Sequence, residues 1–525
     1  MNTDILLVTL NSSYAHSSFG LRYLYANLKE LQERAQIVEY TTARSPRDIV
    51  ESLLSKKPKI IGLGVYIWNA DESLEVVSLL KKVSPETIVV LGGSEVSHES
   101  ESQKICQTAD FTIKGEADFL FYEFCHGYLN LGVLPEKKFI SGPLPDIKTI
   151  ASPYAYYTEE DIKNRVIYVE VSRGCPYRCE YCLSSLDKSV RNFDVTTFLA
   201  DMQTLLDRGT RQFKFIDRTF NLSPTTCTQI LQFFLDRIHL GLFLHFEMVP
   251  DRLPTEIRDL IKQFPAGSLQ FEIGIQTWNT EVAKLVSRRN DFEKVKDNFR
   301  FLSTETGVHT HADLIVGLPG EDLPSFARGF DILSEVGPDE IQVGILKRLK
   351  GAPIARHDKE WEMVYADQPP FQILRTKTMN FETLQKMNRF AKFWDLYANS
   401  GNFKTLVTTL KERSQTRDDK SFFWEFFAFS EYLSARHSQY FGISLMSLFE
   451  SAMAYLTEGL QWPAEQARDL ILTDYRATGK IDLPKFLRLG DEDVKRKSSP
   501  EGDLQRSSLP KRQQRHLGKL ETQTS

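Results

Sequence analysis

Val171-Ser-Arg-Gly-Cys175-Pro-Tyr-Arg-Cys179-Glu-Tyr-Cys182 is the stretch on which the reading of this chain turns. Its cysteines have the spacing C-x-x-x-C-x-x-C and follow an apolar run, Val166 to Val171, that reads as a strand. Thiolates are soft ligands and suit iron–sulfur clusters or zinc. Three from one loop can each hold one corner of a cubane. The fourth iron then stays open to the amino and carboxylate groups of a bound molecule. Gly174 and Pro176 help the chain bend sharply around such a cluster. Three buried thiols at this density by chance is the weaker reading. A structural zinc site normally takes four ligands in two paired knuckles, and Cys227 and His239 lie far along the chain.

The 525 residues suggest two to four domains. Hydrophobic residues make up 41% and charged residues 26%, so a large core can form. A net charge of −5 demands neither nucleic acid nor an anionic membrane as partner. The opening MNTDILLVTLNSS lacks a basic segment and a cleavage site, and reads as a first buried strand. No apolar run reaches about 18 residues, so no membrane span is expected. A cytoplasmic protein follows. Cys106, Cys125 and Cys227 read as small apolar core residues.

Working outward, residues 1–135 alternate strand-like runs with amphipathic helical spacing. Ile5 to Leu10, Ile60 to Val65, Thr87 to Leu91 and Asp110 to Ile113 are the strands; Ser18 to Leu31 and Leu74 to Val83 are helices. This predicts a parallel sheet with helices on both faces, flavodoxin-like or Rossmann-like, with its ligand at the strand carboxyl ends. Residues 136–160, with Pro143, Pro145 and Pro153, read as a linker. Residues 161–355 restart the alternation with six strands: Val166 to Val171, Gln212 to Ile216, Leu244 to Met248, Leu269 to Ile275, His309 to Ile315 and Glu340 to Ile345. Six such units can curl into a partial (β/α)6 barrel whose chemistry sits at the strand C-termini. Residues 356–490 read as a mostly helical domain over Phe371 to Leu396, Phe422 to His437 and Leu445 to Leu460. From 491 the chain is polar and basic and reads as disordered. His309 and His311 read as polar barrel-lining or surface positions, and the aromatic run from Phe422 to Phe429 as helix core.

The cysteine loop, with aromatic Tyr181 before its last cysteine, resembles the radical SAM superfamily. The resemblance implies a 4Fe-4S cluster on Cys175, Cys179 and Cys182 and S-adenosylmethionine on the open iron. One electron then makes a 5′-deoxyadenosyl radical, delivered by a donor such as flavodoxin or ferredoxin. Further motifs match in order. They are Phe215-Ile-Asp217-Arg-Thr219-Phe-Asn221, Phe271-Glu272-Ile-Gly274-Ile-Gln276-Thr277 and Asp313-Leu-Ile-Val-Gly317-Leu-Pro-Gly320-Glu321. They imply S-adenosylmethionine contacts from Tyr181, Asp217, Thr219, Glu272, Gly274, Gln276 and Gly317, with Asp217 accepting the ammonium.

The first domain resembles the cobalamin-binding domain that precedes the barrel in one branch of the superfamily. Gly92-Gly93-Ser94-Glu95 and Lys114-Gly115-Glu116 carry the match. It implies cobalamin near His16, Gly92, Gly93, Ser94, Gly115 and Glu116. The usual Asp-x-His-x-x-Gly loop is here Tyr14-Ala-His16-Ser-Ser-Phe-Gly20, with Tyr14 for Asp and the glycine one residue late. The helical segment resembles an uncharacterised domain found behind some members. The implied activity is radical SAM chemistry with cobalamin, including methyl transfer to an unknown substrate. Two alternatives stay open. One is radical methylthiolation of RNA or protein, which usually brings three more cysteines in the first domain. The other is a non-catalytic cobalamin or redox sensor.

Overall fold

A computed structural model describes residues 3–480, 483–488, 512 and 515. The chain forms two compact units. The first comprises residues 1–218, 347–355 and 366–372; the second holds 219–346, 356–365 and the remainder from 373.

The first unit opens with a six-stranded parallel sheet. Its strands are β1 (Ile5–Asn11), β2 (Ala35–Thr41), β3 (Ile60–Gly64), β4 (Ile88–Gly92), β5 (Phe111–Ile113) and β6 (Phe139–Ile140), in the order β2-β1-β3-β4-β5-β6. Side chains alternate along β1. Leu6, Val8 and Leu10 pack with Ile49 and Leu53 of the helix Pro46–Leu54, and with Val76 and Leu80 of Ala70–Val83. Ile5 and Leu7 point the other way, toward Leu21 of the helix Phe19–Ala26 and Phe121 and Phe124 of Leu120–Leu131. Both faces are covered, which is why β1 is apolar throughout rather than alternating. Residues 139–140, inside the expected linker, complete the sheet by pairing with β5.

The same unit carries β7 (Ile167–Val169) and β8 (Gln212–Phe215), paired in parallel with Phe213 opposite Ile167. Between them a short antiparallel ladder, Ser172–Arg173 against Arg191–Asn192, closes the base of the cysteine loop.

The second unit continues with β9 (Phe243–Met248), β10 (Leu269–Gln276), β11 (His309–Val316) and β12 (Glu340–Ile345), parallel throughout. Within each unit the strands keep chain order, β7 beside β8 in the first and β9 to β12 in sequence in the second, as (β/α) repeats require. In β10, Leu269, Phe271, Ile273 and Ile275 are buried, and Gln270, Glu272, Gly274 and Gln276 half-buried. Helices start where short polar residues cap them: Ser223 for Pro224–Leu235, Asp291 for Phe292–Glu305 and Asp322 for Leu323–Val336.

Five helices of ten or more residues follow: Phe381–Trp394, Lys404–Ser414, Phe422–Arg436, Leu445–Ala454 and Ala464–Ala477. Phe422, Phe423, Phe426 and Phe429 are buried, and Phe390 meets Phe330 and Phe423 at ring distances of 5.4 and 4.8 Å. The aromatic run is helix core. The helix expected from Phe371 begins instead at Phe381. Ile373–Arg375 pairs with Val364–Tyr365, and Asn380 caps the helix start. The basic tail expected from residue 491 lies outside the described residues except at Arg512 and Arg515. Among the described residues, no helix is long and apolar enough to cross a membrane.

Candidate functional site

The cysteine loop leaves β7 and turns at Gly174, whose φ is +93°. The Cys175 N–H donates to the Asp187 carbonyl at 3.1 Å, and the Cys182 N–H to the Cys179 carbonyl at 3.1 Å. Ser185 Oγ donates to the Cys182 carbonyl at 2.7 Å. Cys175 and Cys179 are buried; Cys182 and Tyr181 are half-buried. Burial pushes the Cys175 thiol up, the Tyr177 N–H lowers it, and the thiols of Cys182 and Cys179 raise it again. The three thiols therefore sense one another. Among the described residues, no three His, Cys, Asp or Glu side chains converge as ligands of a single metal ion. Three soft thiols in one turn fit an iron–sulfur cluster.

Asp217 stands at the end of β8, fully buried. Its carboxylate accepts from the Val171 N–H at 3.1 Å and from Ser172 Oγ at 2.5 Å. Desolvation raises its pKa to about 7, against the lowering effect of those bonds. The sequence assigned Asp217 to a ligand ammonium; the structure engages it with the first residues of the cysteine loop.

Arg173, just before Gly174, was not singled out by sequence. Its guanidinium meets Glu170 at 2.8 Å, Glu116 at 2.9 Å and Asp118 at 3.0 Å. It also lies 4.5 Å over the Tyr23 ring. Arg191 holds Glu116 from the other side and reaches Asp187 at 3.1 Å. The one legible signal was Glu170 three residues ahead of Arg173.

The same Arg173 lines a cavity of about 190 Å³ at the carboxyl ends of β3, β4 and β5. Gly20, Gly62, Gly64, Gly92, Gly93 and Gly115 form much of its wall. A Cβ on Gly62 would lie 2.7 Å from the Phe121 ring, and one on Gly93 2.4 Å from the Val65 carbonyl. Internal packing therefore requires glycine at these two positions, and it keeps the strand ends that border the cavity free of side chains. Gly92, Gly93, Gly115 and Glu116 line this cavity. Ser94 is exposed, and Ser94 and His16 stand outside the lining. His16 instead bridges to Val166, and its Nδ1 bonds Tyr168 Oη at 2.6 Å. Its pKa is lowered by burial and by Lys214.

In the second unit, Glu272 bonds His245 Nε2 at 3.0 Å, and Thr219 is buried at the start of a short turn. The β10–β11 register shifts between Gly274 and Gln276, and Gln276 has φ +74°. A left-handed, non-glycine residue at a strand-end bulge is a frequent mark of a binding site. Gly317, φ +90°, has a bare edge against Ile373. His309 bonds Glu340 at 3.1 Å and His311 approaches Asp313 at 3.6 Å, so both belong to the polar face of the strands.

Glu321, in the Gly317–Glu321 turn, is 1% exposed. Its Oε1 accepts from Thr277 Oγ1 at 2.8 Å, while Oε2 has no partner among the described residues. Desolvation pushes its pKa up to about 7. A carboxyl whose folded pKa is raised costs stability as pH climbs from its unfolded value toward the folded one. Glu321→Gln is therefore expected to be more stable than the unmodified protein by only about 1 kcal/mol at pH 5. At pH 8 it should be more stable by on the order of 2–3 kcal/mol. Calorimetric melts at the two pH values check this; an equal gain at both would refute it.

Comparison with known proteins agrees with the geometry. The B12 binding domain model matches residues 5–124 and the Radical SAM superfamily model residues 169–328. Residues 359–523 match a protein domain of unknown function, DUF4080. Residues 5–124 thus form a B12-binding domain and residues 169–328 a radical SAM domain, the kinds of domain whose cofactors are cobalamin and a 4Fe-4S cluster with S-adenosylmethionine. It is 23% identical to the cobalamin-dependent radical SAM methyltransferase TokK of Streptomyces tokunonensis over 76% of this chain and 62% of that one. It is 21% identical to the uncharacterized methyltransferase PH0819 of Pyrococcus horikoshii, over 71% of this chain and 83% of that one. Among solved structures, the radical S-adenosylmethionine methyltransferase TsrM of Kitasatospora setae has the same fold. The TM-score is 0.58 at 16% identity, covering 70% of this chain and 79% of that one. The chain thus spans about three fifths of TokK's length.

Proposed function

We propose that this enzyme transfers a methyl group to a carbon of its substrate in a cobalamin-dependent radical reaction. The observation that carries the reading is Arg173. One residue both walls the glycine-lined cavity and begins the loop of the three cysteines. When bound, the cluster with S-adenosylmethionine supplies a hydrogen-abstracting radical and cobalamin a transferable methyl group. The chain supplies the rest. Cys175, Cys179 and Cys182 would hold the cluster, and the cavity would hold cobalamin by its apolar wall. Glu272, Gly274, Gln276, Gly317, Tyr181 and Thr219 are the residues proposed for S-adenosylmethionine. Asp217 keeps the cysteine loop in place, and His16 is not needed for cobalamin in this reading.

Methyltransferase relatives that match 76% and 71% of the chain support this reading over methylthiolation, whose relatives match 33% to 58%. So do Cys106 and Cys125, which belong to the cores on opposite faces of the first sheet and cannot share a second cluster. The substrate is left undefined by the fold, and a flavodoxin or ferredoxin in the cytoplasm is the proposed electron source.

The test is anaerobic reconstitution with iron, sulfide and hydroxocobalamin, followed by reduction with methyl-labelled S-adenosylmethionine. About four irons and one cobalamin per chain, with 5′-deoxyadenosine and S-adenosylhomocysteine both formed, are expected. Absence of 5′-deoxyadenosine points to a sensor; absence of S-adenosylhomocysteine rejects methyl transfer. Gly20→Leu sharpens the test. A Cβ there meets Tyr66 Oη at an ordinary 3.4 Å, and a leucine would fill the cavity from helix Phe19–Ala26. It should weaken cobalamin binding about tenfold or more, equivalent to at least ~1.4 kcal/mol, while iron content stays unchanged.

A further inference from the structure

Within the first unit, residues 347–355 lie against two loops that are far apart in sequence. Lys350 Nζ pairs with Glu95, which follows the cavity-lining Gly92 and Gly93 and is 4% exposed. Arg348 reaches both carboxylate oxygens of Glu99 at 3.2 Å, and the Gly351 N–H donates to Glu99 at 3.3 Å. Gly351 has φ +84°, and a Cβ on it would lie 2.4 Å from the His98 ring. Three residues on, the Ile354 N–H donates to the Glu180 carbonyl at 2.9 Å. Glu180 stands between Cys179 and Cys182, and Ile354 is fully buried. Phe371 anchors the segment from behind. Its carbonyl accepts from the Arg348 N–H at 2.9 Å, and its ring lies 4.0 Å from Lys350 Nζ.

We infer that residues 347–355 are a strap that fixes the spacing between the cobalamin-cavity loop and the cysteine loop, with Lys350 as its positioning residue. The inference builds on the cofactor assignment. A buried ion pair holds one end and a backbone hydrogen bond the other, and Gly351 lets the chain pass at contact distance from His98. Five residues, Lys350 to Ile354, separate an attachment on one loop from an attachment on the other. Removing the Lys350–Glu95 pair leaves that end held only by the exposed contacts of Arg348 and Gly351 with Glu99, so the Glu180 end gains freedom to shift.

Lys350→Met alone would leave Glu95 buried without a counter-charge, which risks misfolding. The informative protein is the double variant Lys350→Met with Glu95→Gln, which removes both charges together. Hydrogen–deuterium exchange of the reconstituted enzyme is the main readout, because it reports the loops whether or not turnover occurs. In the double variant, amides of residues 93–99 and of residues 179–185 should both exchange about tenfold faster, with β1, β3 and β4 unchanged. Cobalamin affinity should fall about tenfold, and the electron paramagnetic resonance spectrum of the reduced cluster should change on adding S-adenosylmethionine in a way the unmodified enzyme does not show. Lys350→Arg should restore all three. Faster exchange at 93–99 with none at 179–185 would overturn the strap. Failure of the unmodified protein to retain iron or cobalamin would count against the cofactor assignment instead, and the exchange result would still decide the strap.

Discussion

Gly174→Ala is expected to yield a folded protein that cannot retain iron. At φ +93° an L-residue is strained by about 1 kcal/mol. The larger problem is contact. An added Cβ would lie 2.0 Å from the Ser189 carbonyl oxygen and 3.0 Å from its carbon, and both are backbone. No side-chain rotation relieves that clash. The 187–189 segment must move away, and with it goes the Asp187 carbonyl that accepts from the Cys175 N–H. Cys175 then no longer faces its two partners. The sheet of β1 to β6 is untouched, so the main thermal transition should fall by only a few degrees. Iron and sulfide analysis after reconstitution, with the visible charge-transfer absorbance, reads the result. A variant holding wild-type iron would show that the loop tolerates displacement and that Gly174 serves another purpose.

Arg173→Met is expected to cost about 3–5 kcal/mol, because it strands buried carboxylates. Glu170 and Asp118 are 6% and 4% exposed, and Arg173 pairs with both. Burial raises the Glu170 pKa, and Arg173 lowers it. Without the arginine, burial and Asp118 raise it against only the Tyr23 hydrogen bond. The sign of the pH effect follows. Carboxyls with raised folded pKa values lose stability as pH rises through the interval, so the deficit of the variant should be largest near pH 8 and shrink toward pH 5. Arg173→Lys should fail to rescue fully, since one ammonium cannot fork to three carboxylates and lie over Tyr23 at once. Calorimetry across that pH range checks both statements; a pH-independent deficit would mean that lost packing, not stranded charge, dominates.

The barrel strands were legible because their alternation survives in sequence. Leu269 to Gln276 alternates buried and half-buried residues along its whole length, and the read boundaries lie within a residue or two. Ala35–Thr41 was not legible. It is the edge strand of its sheet, only Tyr40 is buried, and Gln36 and Glu39 interrupt any apolar run. Phe139–Ile140 is two residues among prolines, and its pairing with β5 has no local signature. At the site, the cysteine spacing was visible in the sequence, but the partners of Asp217 were not. A strand-end aspartate reads as a ligand group until the partners of its carboxylate are known, and here they are Val171 and Ser172. Arg173 was hidden for the converse reason, because Glu116 and Asp118 lie more than fifty residues upstream. His16 sat in a recognisable loop, and only the bridge to Val166 tells where that loop goes.

The three remaining cysteines bear on how the cluster is assembled. Cys106, Cys125 and Cys227 are 0% exposed, and burial raises each thiol well away from the thiolate form. Iron is captured by thiolate, not thiol. During maturation the incoming metal therefore meets no rival ligand among them. Oxidants and alkylating reagents meet the same barrier, so damage to the folded apoprotein should concentrate at the loop. The fold thus sorts six chemically identical side chains into three that trade with iron and three that never enter the market.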